Sequence, residues 1–218
     1  MKRFSLLFFL GLTCLGACTQ PHHQAGHFRN VVVVGNSITY SAPYSKVGWT
    51  SNWGMAASAP DKDFVHILTR RFQQETPGAR VSFQNIAEWE HTYWKYNLAR
   101  FDTIKQTSPD LLIVRIGENI NGDSVVQRQF AQHLHELVMA LKGPHTRVVL
   151  ASSFWDGNPS IEAMKEYSQM HQLTYIPLAK LGDDPSNKAL GQHANEGVAS
   201  HPSDKGMLAI ADAIWAGI

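Results

Sequence analysis

Three polar residues, far apart along the chain, are of the types that together carry out acyl transfer: Ser37 in VVVVGNSITY, Asn119 in RIGEN and His201 in SHPSDKGM. A serine hydroxyl is a weak nucleophile at neutral pH. It needs a base within about 3 Å and hydrogen-bond donors for the oxyanion that forms when it adds to a carbonyl. A histidine, with an ordinary pKa near 6.5, can take that proton, and an asparagine amide can donate to that oxyanion. Taken singly, each residue has a plainer role. A turn serine caps the next segment, asparagine is a common turn residue, and His201 is one of 11 histidines. Their placement relative to the surrounding elements sets them apart.

Val31 to Val34 is a run of four β-branched residues with no polar face, which suits the centre of a parallel sheet covered on both sides. Further strands are expected over Ala79 to Ile86, Asp110 to Ile116, Thr146 to Ser152 and Leu173 to Ile176. Helical patterns fall near Asp63 to Glu75, Tyr96 to Gln106, Ser124 to Leu141, Ser160 to His171 and Asp204 to Ala216. Strand and helix in alternation imply parallel strands joined by right-handed crossovers, hence a three-layer α/β/α sandwich around a parallel sheet of about five strands, flavodoxin-like in type. Ser37 and Asn119 then follow the carboxyl ends of the first and third strands, the edge where open parallel sheets bind ligands. His201 sits in a long polar connection, Leu181 to Ser203, ahead of the last helix. Pro202 suits a helix start, with Ser203 or Asp204 as its cap. A second long loop, Ser41 to Pro60, comes directly after the serine and contains two tryptophans.

In this order and spacing the residues resemble the SGNH hydrolases, the GDSL esterase family, over most of the chain. Gly35-Asn36-Ser37-Ile38 is similar to the family's Gly-Asp-Ser-Leu/Ile block, with Asn for Asp. Gly117-Glu118-Asn119 matches Gly-x-Asn-Asp up to its last residue, where Ile120 stands, and His201-Pro202 matches the last block. The resemblance implies a serine esterase with Ser37 as nucleophile, His201 as base, and Asn119 with the Ser37 N–H as oxyanion donors. The sequence departs from the family at two points. The second block normally supplies a glycine after the second strand, but here the segment reads NIAEWE, which leaves the backbone of Glu90, or of Gly54 in the long loop, as the further donor. The acid expected three residues before the histidine is replaced by Val198, so the histidine is oriented either by Glu196 or by a backbone carbonyl.

The first residues, MKRFSLLFFLGLTCLGACTQ, have the basic start and short apolar run of a secretory signal. Leu15-Gly16-Ala17-Cys18 resembles a bacterial lipobox. The expected organisation is a signal peptide over 1–17, a lipidated Cys18 with a polar tether over 18–30, and a hydrolase-like domain over 31–218. The protein is then anchored through lipid to the membrane and faces the periplasm, and Thr19 after the cysteine favours the outer membrane. Cys14 leaves with the leader and Cys18 carries lipid, so neither a disulfide nor a thiol nucleophile is expected. Without Lys2 and Arg3, 17 basic residues face 18 acidic ones, and no basic track suggests nucleic acid.

Other chemistries fit poorly. His133 and His135 are two apart on a helical pattern and fall on different faces, so no metal pair is expected. GNSIT is neither a dinucleotide fingerprint nor a P-loop, and it lacks the second glycine of a G-x-S-x-G elbow. No cofactor is implied. Trp49, Trp53, Trp89, Trp94 and Trp155 fall in or beside loops at the expected active edge, where aromatic faces can stack on sugar rings. The expectation is therefore hydrolysis of small acyl esters, acetyl above all, on a cell-envelope or extracellular carbohydrate. Two alternatives are acyl transfer onto a glycan hydroxyl and a degenerate domain that binds glycan without turnover.

Overall fold

The structure, a computed structural model, describes residues 27–218; the signal, lipobox and most of the tether lie outside the described residues. Five strands, β1 (Asn30–Gly35), β2 (Arg80–Asn85), β3 (Leu111–Arg115), β4 (Arg147–Ala151) and β5 (Thr174–Ile176), form one sheet in the order β2-β1-β3-β4-β5. Every pairing is parallel, with Val33 opposite Phe83 on one side and Ile113 on the other. The helices are α1 (Phe64–Glu75), α2 (Ala87–Thr92), α3 (Asp102–Gln106), α4 (Ser124–Gln127), α5 (Phe130–Leu141), α6 (Ser160–Met170), α7 (Glu196–Ala199) and α8 (Asp204–Gly217).

The period of two along the strands divides the core. Val31, Val33, Leu111, Ile113, Val149 and Ala151 face α1 and α8, together with Phe64, Leu68, Met207 and Ile210. Val32, Val34, Leu112, Val114, Val148 and Leu150 face the other layer, where Trp89, Phe130, Leu134 and Met164 pack. Both faces of β1 are thus apolar, as its four valines require, and the sheet is covered on both sides.

The sequence patterns miss the local breaks. Gln129 takes a left-handed φ of 50°, which no α-helical interior accommodates, so the segment after Ser124 splits into α4 and α5. The stretch expected as a helix from Tyr96 starts later, as a 3-10 turn at Leu98–Phe101 capped by Asn97, and leads straight into α3. α2 and α7, of six and four residues, are too short to show a helical period. The folded region also starts earlier than residue 31. Phe28 is buried against Phe72, and the N–H groups of Arg29 and Asn30 donate to Asp110 Oδ2 at 2.8 and 2.9 Å.

Candidate active site

β1 ends at Gly35, where an added Cβ would lie 2.6 Å from the Arg115 carbonyl oxygen, so only glycine allows β1 and β3 to approach this closely. The chain then turns sharply: Thr39 N–H and Tyr40 N–H both donate to the Asn36 carbonyl, at 2.9 and 3.0 Å. Ser37 stands at the crest of this turn, half-buried. The long loop braces it from one side, with Met55 N–H donating to the Ser37 carbonyl at 2.8 Å.

His201 reaches the serine from the connection before α8, its Nε2 2.9 Å from Ser37 Oγ. Its Nδ1 lies 2.7 Å from the Gly197 carbonyl oxygen. A carbonyl only accepts, so Nδ1 carries the proton and Nε2 presents its lone pair to the serine hydroxyl, the tautomer a general base requires. Burial lowers the His201 pKa below its ordinary 6.5, opposed by the Gly197 hydrogen bond and the nearby Glu118 charge. The imidazole is therefore neutral at pH 7. Trp155 packs edge-on against it, with ring centres 5.5 Å apart.

Of the two sources of orientation open to the sequence, the structure has the backbone. Glu196 is exposed at the first position of α7, and its carboxylate makes no hydrogen bond to His201. α7 presents the Gly197 carbonyl instead. Asn195 caps it by accepting from Val198 N–H at 3.0 Å, and His201 N–H closes the turn onto the Val198 carbonyl at 3.0 Å.

Asn119 follows β3, on the same sheet edge as Ser37. Its Nδ2 donates to Glu90 Oε2 at 2.7 Å, which leaves its second amide proton unspent. The Ser37 N–H has no acceptor among the described residues. Both are available to an oxyanion. The two further backbone donors expected from the sequence are not available. Glu90 N–H is spent inside α2 on the Ile86 carbonyl at 3.2 Å, and Gly54 N–H on buried Asp63 Oδ2 at 3.0 Å.

The side chain of Glu90 has a different place, at the centre of a buried polar cluster. Its Oε1 accepts from Gly117 N–H at 2.6 Å, and its Oε2 accepts from Asn119 Nδ2 and, at 3.0 Å, from Asn36 Nδ2. Asn36 Nδ2 also donates to Glu118 Oε2 at 2.5 Å, while its Oδ1 accepts from Arg115 Nη1 at 3.2 Å. Arg115 Nη2 pairs with Glu118 Oε1, which also accepts from Phe154 N–H at 2.7 Å. Burial, then the charge of Glu118, raises the Glu90 pKa from 4.5 to about 7, against the pull of its three N–H donors. This cluster accounts for the unusual Asn36. An aspartate there would set a third carboxylate against two others, whereas an amide donates to both and accepts from the guanidinium.

The tryptophans do not form one platform. Trp49 and Trp89 are buried, Trp53 packs edge-on against Trp49, and Trp94 lies under the Arg128 guanidinium, 3.5 Å from its ring centre. Of the five, Trp155 is the one packed on His201.

No family model matches the sequence, and no curated protein matches it. Solved structures do match the fold. A two-domain esterase active on acetylated mannans superposes with a TM-score of 0.56 at 15% identity, over 86% of this chain and 48% of that one. The chain thus spans about half the length of that esterase. A protein of the G-D-S-L family from Desulfitobacterium hafniense gives 0.55 at 18% identity, over 87% of this chain and 99% of that one. An acetyl-xylooligosaccharide esterase from Geobacillus gives 0.52 at 14% identity, over 87% and 94%. The chain has the SGNH hydrolase fold. In that fold the ends of β1 and β3 and the connection before the last helix are brought to one edge, where Ser37, Asn119 and His201 stand.

Proposed function

We propose that this protein is a serine ester hydrolase that removes small acyl groups, acetyl in the first instance, from a carbohydrate. One observation carries the reading: Ser37 Oγ lies 2.9 Å from His201 Nε2, with the other ring nitrogen on a backbone carbonyl. Ser37 Oγ attacks the ester carbonyl carbon as His201 Nε2 takes its proton, and the oxyanion is held by Asn119 Nδ2–H and Ser37 N–H. Collapse expels the alcohol, protonated by His201, and leaves the acyl group on Ser37. Water, deprotonated by the same imidazole, then releases the acid and restores the serine. The acetylated glycans named for two fold neighbours support the substrate class, and Trp155 beside His201 offers an apolar wall.

A fluorophosphonate probe tests the reading. Covalent labelling that disappears in Ser37→Ala, with turnover of p-nitrophenyl acetate, is the expected result; a folded but unlabelled and inactive protein would favour glycan binding without turnover. We further propose that Cys18 anchors the enzyme in the cell envelope through lipid, facing the periplasm. Cys18→Ser should then release it from the membrane fraction and abolish lipid labelling, and unchanged partitioning without a lipid adduct on the wild type would count against the anchor.

A further inference from the structure

The esterase mechanism uses the amide of Asn119 but gives no role to the carboxylate that holds it. Glu90 is fully buried, and a carboxylate there carries a large desolvation penalty unless its environment repays it. Three N–H groups converge on it, from Gly117, Asn119 and Asn36. Two of them flank the reaction centre: Asn36 immediately precedes the nucleophile, and Asn119 is an oxyanion donor. A single oxygen, Oε2, thus joins the Ser37 turn to Asn119 across the sheet edge.

We propose that Glu90 is the positioning residue of the oxyanion hole: its carboxylate fixes one Asn119 amide proton, aiming the other at the developing oxyanion, and holds the Asn36-Ser37 turn in register with it. This inference rests on the esterase reading above. It also gives the departure in the second sequence block a function, because the segment that in the resembling family offers a glycine here offers a carboxylate. Only an ionised carboxyl can accept from all three donors at once. A protonated Glu90 turns one oxygen into a donor that faces an N–H, and a glutamine does the same permanently.

The charged groups facing Glu90 are Glu118 and Arg115, both from the end of β3; β1 contributes the neutral Asn36. Burial, and then the Glu118 charge that one guanidinium shared between two carboxylates leaves in the cluster, brings Glu90 protonation to about pH 7. His201, whose pKa is lowered from 6.5, titrates below that. The acid side of kcat/KM, which reports free-enzyme ionisations, should therefore have two stages. A partial drop centred near pH 7 reflects Glu90, and full loss below pH 6.5 reflects His201.

The experiment measures p-nitrophenyl acetate hydrolysis across pH for wild type, Glu90→Gln and Asn119→Ala, with rates normalised to Ser37 titrated by fluorophosphonate so that misfolded protein does not count. Glu90→Gln should lose about 10- to 100-fold in kcat, less than the roughly 100- to 1000-fold for a donor removed outright because the Asn119 amide is misaimed and not deleted, with KM nearly unchanged. Its profile should retain the His201 stage alone. Asn119→Ala should lose the stage near pH 7 as well, which keeps the test open if Glu90→Gln does not fold. A wild-type profile with no stage near pH 7, or Glu90→Gln at wild-type kcat per titrated serine, would overturn the proposal while leaving the esterase reading intact. Absence of Ser37 labelling and turnover in the wild type would overturn that reading and this inference with it.

Discussion

The carbonyl oxygen of Gly197 stands 2.7 Å from Nδ1 of His201, while the neighbouring Glu196 is exposed at the start of α7 and its carboxylate makes no hydrogen bond to the ring. A dyad oriented by the backbone fixes the imidazole tautomer but adds no charge to stabilise the imidazolium. Glu196→Gln should therefore leave kcat within about twofold and stability within about 0.5 kcal/mol, as for ordinary surface changes. A loss of orders of magnitude in kcat at unchanged KM would instead assign the orienting role to the carboxylate.

Ser37 and His201 act on one proton, so removing either disables the other. Ser37→Ala, His201→Ala and the double variant should show similar residual rates on p-nitrophenyl acetate. Losses that multiply in the double variant would give His201 a separate task.

Much of this site was legible in the sequence, for a physical reason. A strand buried on both faces has to be apolar throughout, so Val31 to Val34 and Leu111 to Val114 mark themselves, and the polar residues just past their ends mark the sheet edge. His201 could be found because it lies in the long connection that returns to that edge. The supporting cluster was far less visible. Its partners are 54 and 82 residues apart between Asn36 and the two glutamates, and no local pattern links them. One signal was available: Arg115, a charge inside the apolar run DLLIVRI and fully buried, demands a partner, and Glu118 lies three residues on. That a backbone carbonyl orients His201 was one of two expectations, but which carbonyl could not be read, because every residue has one and only the turn of α7 aims that of Gly197.

Asn36→Asp restores the residue usual at this position in the resembling family, yet it should be harmful here. It exchanges two donated hydrogen bonds, to Glu90 and Glu118, for carboxylate–carboxylate contacts at a position where neither Asn36 nor Glu90 is exposed to water. Breaking a buried charged network in this way typically costs about 3–5 kcal/mol. Urea unfolding should show a loss of that order at pH 8, smaller at pH 5, where a proton on Glu90 relieves the repulsion. A variant as stable as wild type at pH 8 would mean that the cluster rearranges freely.

The same carboxyl should also leave a mark on stability. Because folding raises the Glu90 pKa from 4.5 to about 7, the folded state holds a proton that the unfolded chain has already released across that window. Its contribution to stability is complete below about pH 4.5 and is lost as pH rises through about 7. The shift corresponds to about 3 kcal/mol at 1.36 kcal/mol per pH unit. His201 works in the opposite sense: its folded pKa is depressed, so its share of stability is present above 6.5 and lost as pH falls through its folded value. The two partly cancel in the wild type, and only a comparison isolates Glu90. Unfolding free energies from urea titrations at pH 5 and pH 8 should differ between wild type and Glu90→Gln in one direction, with the wild type losing more on going to pH 8. Equal pH dependence in the two proteins would show that Glu90 is ionised in the fold well below pH 7. A wild-type excess loss would mean that the ionised, activity-supporting form of Glu90 is also the less stable one, so that the protein gains its oxyanion geometry and loses stability over the same pH interval.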